Sequence, residues 1–375
     1  MKHYDWLIVG GGITGSALAY ELQSQGWQVL LLEPSSTIEN ATRYSYGGLP
    51  FWSGTSPKTK ELCAAGINLH RQLPELLDGD TEFREINLLL TIKKEESIEE
   101  ILEQYQDCEI PPQFLSIEES CELEPLLNPS AIAGTIYFPH GHINPQKTNE
   151  AYLQTFTRLG GTIIHEPVNS FQFQNETVVG VKTPETTYYA ENTVLCAGGE
   201  TRHLLTQIGV KLPVYFTHAE LLETPPLDLQ LNSLIMPANN QRLKLETTAT
   251  APEKEPLWEQ SGQEIASAII DPGAIQFRDR HLCIGQISRT LSDTNANIDA
   301  GESESWLREE IGTLLPSLKD VPAQWHRCLI AFSTSGESIV GKLDQYEGIH
   351  IFSGFTSTLL FAPPLARQFA QSVKA

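Results

Sequence analysis

Three glycines, Gly10, Gly12 and Gly15, stand at the spacing GxGxxG between an apolar run, Trp6 to Val9, and a stretch from Ile13 to Leu22 with apolar residues at helical intervals. Each glycine serves a separate physical need. The first permits a tight turn, the second lets a pyrophosphate approach the backbone, and the third lets a helix pack closely on a strand. The helix amino terminus then faces the phosphates with free amides and a positive dipole end. Glu33 ends a second apolar run, Val29 to Leu32, where a carboxylate can accept both ribose hydroxyls and would repel a ribose phosphate. The pattern is that of a dinucleotide site, and alone it does not separate NAD from FAD.

Strand, glycine turn, helix and strand in this order require a parallel pair. Further on, Lys58 to Leu77 reads as helix, Glu85 to Ile92 as strand and Glu95 to Gln106 as a charged helix. A strand at Ala133 to Phe138 leads through "PHGHINP" into a helix from Gln146 to Leu159, followed by a strand in "GGTIIHEPV". Phe171 to Ala197 alternates apolar and polar residues between turn-like breaks, which predicts an antiparallel meander. Pro213 to Leu222, Ser267 to Arg278 and Leu282 to Ser288 read as strands of a second, antiparallel sheet. Thr224 to Gln263, rich in Pro, Asn, Thr and Glu, reads as an irregular excursion. Ser303 to Leu315 is helical, Gln324 to Phe332 and Gly348 to Phe352 are strands, and Leu359 to Val373 is a closing helix entered near Pro363 and Pro364. No repeat of fixed period is present.

The chain has 375 residues, with a formal net charge of −22. That length suggests two domains, or one large domain with an elaborate insert, and the acidic balance speaks against nucleic acid or an anionic membrane surface as partner, since phosphate backbones are bound largely by clustered Lys and Arg. Cys63, Cys108, Cys121, Cys196, Cys283 and Cys328 are scattered without CxxC or Cys/His spacing, as expected of reduced thiols rather than a disulfide framework or metal site. No apolar run is long enough to span a bilayer. Lys2 ahead of an apolar stretch has the look of a secretory signal, but the early Asp5 and the glycine spacing argue for a cytoplasmic protein instead.

The sequence resembles the flavoprotein family of D-amino-acid oxidase, which includes glycine oxidase, sarcosine oxidase and related dehydrogenases. The resemblance covers most of the chain apart from roughly 224–263. It rests on "GGGITGSALAYEL" with "VLLLEP", "ATRYSYGGLP", "SIEESCELEPLLNP", "GHINPQKTNEAYLQTFTRLGGTIIHEPV", "NTVLCAGGETRHLL", and "SGESIVG" with "GIHIFSGFTSTLLFAPPLARQFA". It implies an α/β fold: a Rossmann-type FAD-binding domain, with a parallel sheet, helices and a β-meander, assembled from 1–80, 140–210 and 325–375. An antiparallel-sheet substrate domain with helices would come from 81–139 and 211–324. FAD contacts are implied at Gly10, Gly12, Ile13, Thr14, Gly15, Glu33 and Pro34, then at Arg43, Ser45, Gly47 and Gly48 in the segment beside the flavin ring. Val168, the turn Ala197, Gly198 and Gly199, then Gly336 and the loop Gly354, Phe355, Thr356, Ser357, Thr358 and Leu359 complete the set.

Two departures bear on chemistry. Many amino-acid-oxidising relatives carry an arginine before "SGESIVG" that pairs with the substrate carboxylate, and that position is Ile330 here. An amino acid substrate therefore needs another cation, with Arg43, Arg278 and Arg327 as candidates, although Arg327 should face the opposite side of the strand from Ile330. The last block carries Thr356, Ser357, Thr358 and Leu359 where relatives have more glycine, so side chains limit how near backbone amides come to the flavin. Cys328 falls where sarcosine-oxidase relatives attach flavin covalently, while other relatives have glycine there. Tyr46, Tyr215 and His218 are further residues that could border the substrate cavity.

The resemblance implies an FAD-dependent oxidoreductase that takes a hydride from the CH–NH bond of an amine or amino acid, the flavin carrying the chemistry and no catalytic residue being required. A dehydrogenase of a hydroxy acid or polyol and a flavin-binding regulatory or assembly protein are the competing readings. The acidic balance disfavours a tRNA-modifying role. The oligomeric state is not indicated.

Overall fold

A computed structural model describes residues 3–37, 39–334 and 336–374. Lys2 and Ser335 of the segments considered above lie outside them. The amino-terminal unit is β1 (Tyr4–Val9), α1 (Ile13–Ser24) and β2 (Val29–Leu32). After the 40–48 segment come β3 (Gly48–Leu49), α2 (Pro57–Leu76), β4 (Arg84–Lys93), α3 (Ile98–Glu103), β5 (Gln113–Leu115), α4 (Ile117–Leu123) and β6 (Ile132–His142). The chain returns through α5 (Pro145–Arg158), β7 (Thr162–Ile164), β8 (Ser170–Gln174), β9 (Thr177–Lys182), β10 (Thr187–Leu195) and α6 (Thr201–Thr206). Then follow β11 (Val214–Glu223), β12 (Ser233–Pro237), α7 (Gln241–Ala249), α8 (Glu255–Trp258), β13 (Glu264–Gln276), β14 (Leu282–Leu291), α9 (Ala300–Leu314) and β15 (Gln324–Ser333). The chain closes with β16 (Ile339–Lys342), β17 (Ile349–Ser353) and α10 (Thr358–Ser372).

The first sheet runs β16-β17-β10-β1-β2-β7, with the β8–β9 hairpin carried on β10. Its central strands β17, β10, β1, β2 and β7 are parallel. Buried on both faces, they read as continuous apolar runs: Trp6, Ile8 and Leu31 pack beneath α1, α2, α5 and α10, and Leu7, Leu30 and Leu32 pack on the other side. Helix α1 is buried almost all round, as its lack of a polar stripe requires. No helix among the described residues is long and apolar enough to cross a membrane.

The second sheet runs β15-β11-β14-β13-β12-β4-β6-β3, with β5 also on β6. One face carries Leu88, Phe138, Ala219, Leu221 and Cys328, and the other packs Leu222, Ile284 and Ile287 against α9.

Three local expectations are corrected. The strand at Ala133 does not end at Phe138 but runs to His142, with Pro139 falling between the residues paired to β5 and those paired to β3. The sheet is not wholly antiparallel, because β12 lies parallel to β4. That strand comes from the supposedly irregular 224–263 excursion, which also holds α7 and α8; only tertiary pairing completes so short an apolar run.

Candidate functional site

The glycine turn is built as its spacing requires. Gly10 has φ +105°, and a Cβ there would lie 2.5 Å from the Cys196 carbonyl oxygen. A Cβ on Gly15 would lie 1.8 Å from the oxygen of Gly10, so helix and strand could not approach with any side chain there. Gly12 caps α1 without a side chain, and the first turn holds no acid, leaving a helix end suited to a phosphate. Ile13 N–H donates to Thr42 Oγ1 at 3.0 Å, and Thr14 Oγ1 reaches the Cys196 carbonyl at 3.4 Å. Glu33 Oε2 accepts from Gly11 N–H at 2.6 Å, burial raising its carboxyl above the usual range, and Pro34 follows it. Asn149 of α5 supports the turn by donating to the Gly11 carbonyl at 3.0 Å and accepting from Ser16 Oγ at 2.6 Å. Val168 packs under the same sheet beside Leu30 and Leu32.

From Thr42 the chain crosses to the second sheet. Ser45 Oγ accepts from Gly47 N–H at 3.3 Å. Gly47 is left-handed at φ +74° with a Cβ position 2.1 Å from the Ile143 oxygen, and the Cβ position of Gly48 is 2.7 Å from His140 Nε2. On the far side, Ala197 opens the second glycine turn. Gly198 is left-handed, with open space where a Cβ would stand, while Gly199 abuts Leu329. The 354–359 loop follows: Gly354 has φ +71°, Phe355 packs on Phe352, and Thr356 Oγ1 donates to the Gly336 carbonyl at 3.3 Å. Thr358 Oγ1 donates to the Phe355 carbonyl, and α10 starts after Ser357 with neither a side-chain cap nor a first-turn acid. Leu359 offers its carbonyl to His70 Nε2 at 2.7 Å. Two helix amino ends, those of α1 and α10, are thus left without a side-chain cap or a first-turn acid, and such ends are a donor set that fits a dinucleotide with a charge-accepting ring.

The substrate candidates are dispersed. Tyr46 lies within the apolar face and donates to the Gly273 carbonyl at 3.2 Å. Arg43 pairs with Glu223 at 2.8 Å beside a cleft of about 350 Å³ that Ser45, Lys147, His281 and Cys283 also line. Tyr215 donates to Glu255 at 2.5 Å beneath the Arg202 guanidinium. His218 and Arg327 sit on the α9 side of the sheet, bound to the carbonyls of Asp293 and Ala296, and burial lowers His218 to about 4. Arg278 is half-exposed and donates to the Phe83 carbonyl. Ile330 and Cys328 share the apolar face, and burial pushes the Cys328 thiol up to about 12.

Sequence pattern gives no sign of four other groups on that face. Trp52 stacks on Phe138 at 3.8 Å and donates to His140 Nδ1 at 3.0 Å, holding an imidazole that burial lowers to about 3. Arg242 of α7 and Asp271 of β13 lie near Cys328 and Tyr46. No cluster that could hold a metal occurs among the described residues.

The family model described as "FAD dependent oxidoreductase" (DAO) matches residues 5–372. The chain belongs to this family. FAD is its cofactor, and the protein is an FAD-dependent oxidoreductase. It is 29% identical over 219 residues to 4-methylaminobutanoate oxidase (formaldehyde-forming) of Paenarthrobacter nicotinovorans, covering 57% of this chain and only 26% of that one. It is 26% identical over 269 residues to glycine oxidase of Geobacillus kaustophilus, covering 67% and 71%. The crystal structure of that glycine oxidase superposes with a TM-score of 0.80 at 20% identity, over 99% of this chain and 94% of the other, which shows the shared fold.

Proposed function

We propose that the protein oxidises the carbon–nitrogen bond of a small amine or amino acid, releasing an imine that water hydrolyses. The observation that carries this is the lining of the second sheet. Tyr44, Trp52, Leu88, Phe138, Cys328 and Ile330 present an aromatic and aliphatic surface beside the 40–48 segment. Such surroundings disfavour an ammonium and favour the neutral amine, whose lone pair assists departure of hydride from the adjacent carbon. The names of the relatives, oxidases of glycine and of 4-methylaminobutanoate, support the same substrate class.

FAD, when bound, supplies the hydride acceptor. The chain's own contribution is placement. The α1 end and Gly198 would hold the pyrophosphate, Glu33 the adenosine ribose, Ser45 to Gly48 the edge of the ring, and the α10 end the negative charge that the ring gains. We assign the substrate roof to the second sheet and the nucleotide unit to the first. Trp52 stacked on Phe138 keeps water from the reacting carbon.

Anaerobic mixing of the purified yellow protein with panels of amines, amino acids and hydroxy acids tests the reading. Bleaching of the flavin by amines or amino acids is expected. Bleaching by hydroxy acids alone would overturn it. Peroxide on admitting air then distinguishes an oxidase from a dehydrogenase.

A further inference from the structure

Ile330 leaves the apolar face without the cation that an amino acid carboxylate needs, yet another element packed on the same sheet carries a guanidinium. Arg242 occupies the first turn of α7, which packs on β13 and β14. Its Nε donates to Glu246 Oε1 at 2.9 Å, and 36% of its side-chain surface stays open. Helix α7 rests on β13, the strand that carries Asp271, and the Arg242 charge acts on Asp271 and on Cys328. Neither Nη is taken by a partner among the described residues.

Asp271 is the complementary group. It sits where the β13–β14 register shifts between Ile270 and Gly273, so the bulge turns it out of the ladder. Its Oδ1 is buried with no hydrogen-bond partner, a costly arrangement unless a donor arrives. Its charge is felt by Tyr46, which anchors the 40–48 segment to the roof through the Gly273 carbonyl. A donor fork on α7 and an acceptor without a donor on β13 thus stand on two elements packed against each other.

We propose that Arg242 is the carboxylate-binding residue of the substrate cavity and that Asp271 receives the substrate's amine N–H, making the substrate a small amino acid rather than a simple amine. This rests on the amine-oxidising reading above. The planar guanidinium, steadied at Nε by Glu246, offers both Nη groups to a carboxylate, the geometry at which arginine outdoes lysine. Position 330 is then free to be apolar because the cation enters from the opposite wall.

The test uses the FAD-bound protein and two probes that cannot react, acetate and benzoate, followed through their perturbation of the flavin's visible spectrum. Wild type should bind them. Arg242→Met should bind them about thirtyfold more weakly, the worth of one charge-assisted pair, and Arg242→Lys, which keeps charge but not the fork, should fall between. Asp271→Asn should leave benzoate binding intact and weaken that of the amino acid. Unchanged benzoate binding in Arg242→Met, or no spectral response of wild type to either probe, overturns the assignment. If the probes bind through Arg242 while no amine or amino acid bleaches the flavin, the amine-oxidising reading fails and Arg242 remains a carboxylate site.

Discussion

Gly15 shows how little freedom one position has. Any Cβ there would overlap the Gly10 oxygen, so Gly15→Ala should cost about 3 kcal/mol through overpacking at the turn. Purified Gly15→Ala should melt earlier and carry less than stoichiometric FAD; a fully yellow variant with unchanged melting would contradict the packing role. Cys328 makes the opposite case, a residue whose type suggests more than its surroundings support. Buried among apolar groups, its thiol is held up at about 12, whereas bond formation to a cofactor requires thiolate. Acid precipitation of the holoprotein should therefore release all colour to the supernatant, and colour in the pellet would show a thioether. The glycines and Glu33 were legible in the sequence because what they do is local. Arg242 and Asp271 were not: the elements that carry them come together only because β12 docks parallel to β4 and the following α7 packs on β13, a pairing that composition does not announce.

Helix α10 illustrates how an element can carry prolines in its interior. Pro363 and Pro364 have no N–H, which frees the carbonyls of Leu359 and Leu360. The α2 helix packs against both and gives a hydrogen bond to one. His70 bonds the Leu359 carbonyl, and Gly66 lies so close to the Leu360 carbonyl that a Cβ would stand 2.4 Å from it. Burial lowers His70 to about 4, so at neutral pH it is uncharged and donates from Nε2. His70→Leu should leave the Leu359 carbonyl buried without a partner, costing about 1–3 kcal/mol. Because that carbonyl closes the 354–359 loop, FAD affinity should fall as well, and His70→Gln should restore part of both. Thermal melting with and without added FAD reads the two effects, and equal behaviour of the Leu and Gln variants would dismiss the hydrogen bond. A closing helix was evident from its apolar spacing, while the partner of its prolines lay beyond any local pattern.

At the scale of the molecule, burial keeps a set of histidines neutral. His70, His218 and His350 are lowered to about 4 and His140 to about 3. A histidine whose folded pKa is depressed contributes stability that is fully present above its unfolded value near 6.5 and is lost as pH falls towards the folded value. For His70 the full effect is about 3 kcal/mol. Glu21, Glu33, Glu124 and Asp271, raised by burial, act in the opposite sense, and Asp271, at about 6, titrates early in that window. The imidazoles dominate from pH 6.5 to 5, so the melting temperature should drop over that interval. A flat or rising profile would refute the neutral, buried state of these side chains.

The strand order β16-β17-β10-β1-β2-β7 joins both ends of the chain in one sheet, and α10 lies directly on α1. Helix α1, buried nearly all round, thus takes part of its cover from a helix at the opposite end of the described residues. Its burial depends on one of the contacts of greatest sequence separation in the fold, the kind whose loop-closure entropy must be met before it rewards folding, so this corner should be among the last to consolidate.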